Sequence, residues 1–214
     1  MPRSTAARAW LGLALVYVLF FSWYTSFGGP LSEKEIAHYR EILSETELPP
    51  ETIAVWTRFM ETDTGDDFVM LNAIELRDQP TLVPGVEPGE TSSEVLMKYS
   101  APFLGRAFRS AAHPVLMGFA AGPAMDRWGI EGAETWSQGG LVRYRSRRDL
   151  MDQLAVISQM EDSNIHAFKI AAMQKTIAYP LDPWFQLGDP RFVLALLLAI
   201  AGLSVQAFAR PANT

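Results

Sequence analysis

Two uncharged apolar segments, Trp10–Phe27 and Phe192–Ala209, bracket an otherwise polar chain. A helix rises about 1.5 Å per residue, so about 20 such residues cross a hydrocarbon layer about 30 Å thick. The first reads WLGLALVYVLFFSWYTSF and the second FVLALLLAIAGLSVQAFA, with Gln206 its one strongly polar residue. Arg3 and Arg8 precede the first, and Arg191 and Arg210 flank the second. Trp10, Trp23, Tyr24, Trp184 and Phe185 stand near the segment ends, where amphipathic rings favour the headgroup layer. Two such spans leave room for one extramembrane domain, tethered at both ends.

The first segment is read as a retained signal anchor. Its apolar run is long and aromatic, and Ser26-Phe27-Gly28-Gly29 lacks the small-x-small pattern of a cleavage site. The second is read as a span, because it is apolar on every side, unlike the one-sided helix of a soluble core.

Charge orients the pair. All 24 acidic residues lie between the segments. The four arginines at the segment flanks aside, 14 basic residues lie there too, ten fewer than the acidic ones. Short basic tails stay in the cytoplasm, so both termini are expected there, with the domain extracytoplasmic: a two-pass protein of the cell inner membrane with a periplasmic domain. Arg191, on the outer side, runs against this rule. The acidic balance speaks against nucleic acid as a partner. The absence of cysteine excludes disulfides, thiolate metal sites and cysteine nucleophiles.

Residues 28–66 read as a helical stalk. Ser32-x-x-Glu35 is a capping box ahead of Ile36, Tyr39 and Leu43 at helical spacing, and Pro49-Pro50 ends that helix and opens the next, which carries Ile53, Trp56, Phe59 and Met60. Residues 67–180 form the domain proper. A strand is expected over Asp67–Leu76, and a helix from Thr91-x-x-Glu94 that Pro102 breaks or kinks. Strands follow over His113–Ala121 and Trp136–Arg145, then a helix capped by Ser146-x-x-Asp149, a helix near Ser163–Ala172, and a strand near Gln174–Tyr179. Residues 181–191 are a linker, and residues 1–9 and 210–214 are tails.

The order β-α-β-β-α-β defines an α+β, ferredoxin-like domain flanked by two transmembrane helices. Right-handed crossovers put its four strands in one antiparallel sheet with helices on one face, leaving an apolar face that needs a partner.

Gly139–Leu154 (GGLVRYRSRRDLMDQL) together with Phe168–Pro180 (FKIAAMQKTIAYP) resembles the second half of dimeric α/β-barrel proteins, in particular the family termed domain of unknown function 1330. In that family a strand ends in Arg or Phe, an aromatic residue, Pro and Ser before a helix. This chain has Arg143-Tyr144-Arg145-Ser146, with Arg145 where Pro is usual. The resemblance covers about half the chain. It implies two sheets packed face to face in a dimer, and it carries no mechanism.

Arg143, Arg145, Arg147 and Arg148 form the one basic cluster of an acidic domain. Arg147 and Arg148 oppose the dipole of the helix they open, which calls for acidic partners. The cluster binds either an anion or lipid headgroups, or else Asp and Glu of the domain itself or of a partner subunit. Asn72, His113, Trp136, Arg143 and Arg145 are candidate ligand-binding residues for a pocket between sheet and helices, and Trp128, Arg147 and Arg148 are candidates for an interaction surface. His38, His113 and His166 have no metal-ligand spacing, so neither a metal nor a cofactor is expected. Phosphate-loop and Gly-x-Ser-x-Gly patterns are missing.

The leading expectation is therefore a non-catalytic accessory or assembly subunit of a membrane complex, in contact with membrane lipid and forming a homo-dimer or part of a larger assembly. The alternative is a membrane-bound enzyme handling small molecules or lipids in a pocket of the barrel. A third reading has the arginine cluster sensing lipid headgroups.

Overall fold

The computed structural model describes residues 2–46, 48–158 and 165–208. It divides into two compact units, one made of Met1–Ser26 with Pro183–Thr214 and the other of Phe27–Asp182.

The first unit is a helical hairpin. Helix α1 spans Pro2–Tyr24 and α7 spans Pro190–Phe208, and both are long and apolar enough to cross a membrane. Helix α1 starts eight residues before the apolar segment, because nothing in Pro2–Ala9 breaks a helix and Pro2 suits a first turn. The helices run antiparallel. At one end the Arg191 guanidinium lies 5.5 Å from the Tyr24 ring centroid, and further along the Trp10 ring lies against Gly202. A Cβ at Gly202 would come within 2.5 Å of that indole, so a bare glycine lets the helices approach.

Pro190 takes the first helical position of α7, and Asp189 ahead of it accepts from the Arg191 backbone N–H at 2.8 Å. Asp189 also pairs with the Arg191 guanidinium at 2.6 Å. Arg191 is thus paired with a neighbour two residues away. The end of the apolar segment at Ala209, and Arg210, lie outside the described residues.

The second unit contains α2 (Glu33–Ser44), α3 (Pro50–Glu61), β1 (Phe68–Leu76), α4 (Ser92–Ala107), a short 3-10 turn (Phe108–Ser110), β2 (His113–Phe119), β3 (Gln138–Tyr144), α5 (Arg147–Ser158), α6 (Ile165–Ala172) and β4 (Met173–Leu181). It is a mixed α+β fold whose four strands form one antiparallel sheet in the order β2-β3-β1-β4. Both expected capping boxes form: Ser32 Oγ accepts from the Glu35 N–H at 3.3 Å and Thr91 Oγ1 from the Glu94 N–H at 3.3 Å, with each glutamate reaching back. Each such cap is worth about 1 kcal/mol. Helix α6 begins at Ile165; Ser163 and Asn164, where it was expected to start, lie outside the described residues.

Pro102 lies inside α4, which continues to Ala107. The proline ends nothing because the turn beyond it is held from outside. Ala107 is fully buried, Phe103 packs on the same cluster, and Gln153 Nε2 donates to the Phe103 carbonyl at 2.7 Å.

Residues paired across the ladder share a face of the sheet. One face carries Phe68, Met70 and Ile74 of β1 beside Val142 and Tyr144 of β3, and these pack against the helices. Phe68 stacks on Tyr144 at 5.2 Å between centroids and meets Phe59 edge-on at 5.3 Å, pairs worth about 1 kcal/mol each beyond area burial. The opposite face carries Leu71, Leu141, Leu116, Ile177, Tyr179 and Leu181. Leu116 is 61 % exposed and Ile177 45 %.

Helices α2 and α3, expected as a stalk apart from the domain, belong to the same compact unit as the sheet. Leu31, Tyr39, Leu43 and Met60 form one buried cluster with Met151 of α5. Their amphipathic faces had to be covered, and α5 offers the apolar surface that covers them. Gly65 returns the chain toward the sheet with φ +84°, so close to Gly29 that a Cβ would lie 2.5 Å from its backbone.

Candidate functional site

The four arginines find partners within their own unit. Arg143 is buried at the end of β3, donates through Nε to Asp67 at 2.9 Å and through Nη1 to the Ala111 carbonyl at 3.1 Å. Arg145 grips Asp149 with two bonds, at 2.9 and 2.6 Å, while Ser146 Oγ donates to the same carboxylate at 2.7 Å. Arg147 donates to the Phe59 carbonyl and, at 2.9 Å, to Thr62 Oγ1, stands 3.6 Å from Asp63, and lies 4.6 Å above the Phe59 ring. Arg148 pairs with Glu35 at 2.6 Å and reaches the carbonyls of Gly29 and Pro30. Glu35, also bonded by Ser32, has its carboxyl held down at about 2 by these donors. The acidic partners that the dipole argument called for come from the α2–α3 hairpin and its flanking turns, so Arg147 and Arg148 tie that hairpin to the first turn of α5.

The candidate ligand-binding residues are not gathered in one place. Asn72 stands on the helix-covered face, paired across the sheet with Gly140, and its Nδ2 donates to the Met70 carbonyl at 3.2 Å. His113 pairs in register with Arg143 on the opposite face. Strand alternation thus separates Asn72 from His113 and Arg143. Trp136 precedes β3, beneath Lys175, whose ammonium is 4.9 Å from its ring centroid.

Trp128 and Trp136 border one cleft, of about 510 Å³, with Arg127, Lys175 and Ile177, built by the loop between β2 and β3. Lys175 Nζ donates to the Gly132 carbonyl, which fastens that loop to β4. Trp128 is 93 % exposed.

The larger cavity, about 860 Å³, lies among α2, α3, α4, α5 and α6. Its walls are Ile42, Leu43, Trp56, Met151, Leu154 and Ile170. Two basic side chains on one turn of α6 enter it, the His166 imidazole at its rim and the Lys169 ammonium half-buried. Burial lowers the pKa of both, and Lys169 pushes His166 down further. The Lys169 ammonium lies 5.6 Å from the Tyr99 ring centroid, and among the described residues no carboxylate pairs with it. Tyr39, on the facing wall, donates to Asp152 at 2.6 Å; burial and that carboxylate raise its pKa. The one-turn spacing of His166 and Lys169 is plain in the sequence, but nothing local links them to Tyr39 or Trp56. Among the described residues no group of three or more His, Asp or Glu could hold a metal ion.

No protein-family model matches this chain, and no curated protein gives a significant match. Among solved structures, the chain is similar to a methylated RPA0582 protein at 18 % identity and TM-score 0.48, over 67 % of this chain and 96 % of that one. It is likewise similar to the RPA0582 protein of unknown function from Rhodopseudomonas palustris at 17 % identity and TM-score 0.46, over 65 % and 97 %.

Proposed function

We propose that this protein is a non-catalytic, double-anchored inner-membrane protein. Its ferredoxin-like domain lies on the periplasmic side, self-associates through its exposed sheet face, and serves as an accessory or assembly subunit of a membrane complex. The observation that carries the reading is the row of Leu116, Ile177, Tyr179 and Leu181, exposed together on one face of the sheet. Water is a poor solvent for such a patch, and a second sheet laid against it would remove the apolar side chains of both copies from solvent. The antiparallel α1–α7 hairpin supports the topology, since it returns the chain to the side from which it left. Two anchors per chain confine encounters to the membrane plane, which raises the effective concentration of a weak interface.

Native mass spectrometry of the full chain in mild detergent tests the reading. A dimer or a larger assembly is expected, and Leu116→Glu combined with Ile177→Glu should shift it to monomer. A wild-type monomer without partners would end the proposal.

A further inference from the structure

We propose that the cavity among α2, α3, α4, α5 and α6 binds an amphiphile with an unbranched apolar tail and one carboxylate, a medium- or long-chain fatty acid anion, with Lys169 and His166 holding the head. This site is independent of the association reading, because it lies on the helical side of the sheet. The volume, about 860 Å³, falls within the range of small-molecule sites. Part of its wall suits the tail: Ile42, Leu43, Met151, Leu154 and Ile170 are wholly apolar and Trp56 adds its indole, while the hydroxyls of Tyr39, Thr46, Thr52 and Tyr99 also line the space.

Charge selects the head. Lys169 gives up part of its hydration on α6, gains a Tyr99 ring in exchange, and pairs with no carboxylate among the described residues. An anion arriving there meets a cation in a medium of reduced dielectric, where the attraction exceeds its value in water several-fold. The head is a carboxylate rather than a phosphate monoester for two reasons. One ammonium and one imidazole provide few donors, without the planar guanidinium fork that grips phosphate. Glu45 also lines the cavity, and its charge disfavours a dianion.

The test uses the full chain in lipid nanodiscs and decanoate carrying a photoreactive diazirine in its tail, with labelled peptides mapped by mass spectrometry. Labelling is expected on α2 and α5, around Ile42–Leu43 and Met151–Leu154. Excess decanoate should compete it away, and decanol, which shares the tail but not the charge, should not. Lys169→Met should reduce it at least tenfold, while Lys169→Arg retains it. Ile170→Trp, which alters an exposed residue at the wall, should block it by filling the space. Labelling confined to α1 and α7, equal competition by decanol, or full labelling of Lys169→Met would overturn the proposal. Loss of the sheet dimer with labelling intact would count against the association reading alone.

Discussion

The Arg143 guanidinium, 1 % exposed, donates to the Asp67 carboxylate at 2.9 Å, across the register that sets β3 against β1. Asp67 immediately precedes β1, and Arg143 also holds the carbonyl of Ala111, a non-glycine residue at φ 55°. One cation therefore links a strand start, a strand end and a left-handed turn. Taking away one member of a buried pair costs about 3–5 kcal/mol, because the other charge stays buried. Asp67 keeps some solvent access, so Asp67→Ala should cost about 3 kcal/mol, measured as a fall in urea midpoint of the detergent-solubilised chain. Arg143→Met, which leaves behind the Asp67 carboxylate with its partial access to water, should cost less.

Acid should loosen the α2–α5 contact. Glu35 has its pKa lowered from 4.5 to about 2 by Arg148 and by Ser32. A depressed carboxylate contributes stability above its unfolded value and loses it as pH falls through the folded one. The gain in melting temperature of wild type over Glu35→Gln should thus be constant above about pH 5 and shrink steadily between pH 4.5 and 2. Glu35 is partly exposed, so the gain is small and should fall further in high salt.

The helical hairpin should be sensitive to bulk at one glycine and indifferent at another. Gly202→Leu drives a side chain into Trp10, whereas Gly12 has no heavy atom within 4 Å of where a Cβ would stand. Overpacking of this kind costs about 1–3 kcal/mol. Thermal melts in detergent should show Gly202→Leu destabilised and Gly12→Leu close to wild type, with Trp10→Ala rescuing the former by vacating the space.

Topology is open to a direct test because the chain has no cysteine. Met125, fully exposed in the long β2–β3 loop, replaced by Cys should react with a membrane-impermeant maleimide in cells whose outer membrane alone is permeabilised. Thr5→Cys should react only after the inner membrane is opened.

Much of the fold is legible in the sequence because its signals are local. Ser32/Glu35, Thr91/Glu94 and Ser146/Asp149 announce helix starts three residues ahead, and alternation in Phe68–Leu76 marks a strand on its own. Where a residue's fate is decided by distant partners, the sequence is silent. Arg148 and Glu35 are 113 positions apart, and Arg143 and Asp67 are 76. The basic cluster favours ion pairs over an anion site on charge balance alone, but the sequence does not say which carboxylates those are. The same holds for Pro102, tolerated because Gln153 and the core hold the turn beyond it, and for the α2–α3 hairpin, whose apolar faces name no covering surface. The cavity was hidden because Tyr39, Trp56, Tyr99 and Lys169 come from four helices that meet only in the packed unit.

Cross-linking in native membranes tests the central claim, face-to-face association through the sheet. Single cysteines at Leu141 or Leu71, in the middle of the apolar face, should join two copies through a short bis-maleimide. Cysteines at Met97 on α4 or Val156 on α5, both exposed on the helical side, should not. Covalent dimers from the sheet positions alone are the predicted result; equal yields from both sets, or none from the sheet face, would contradict it.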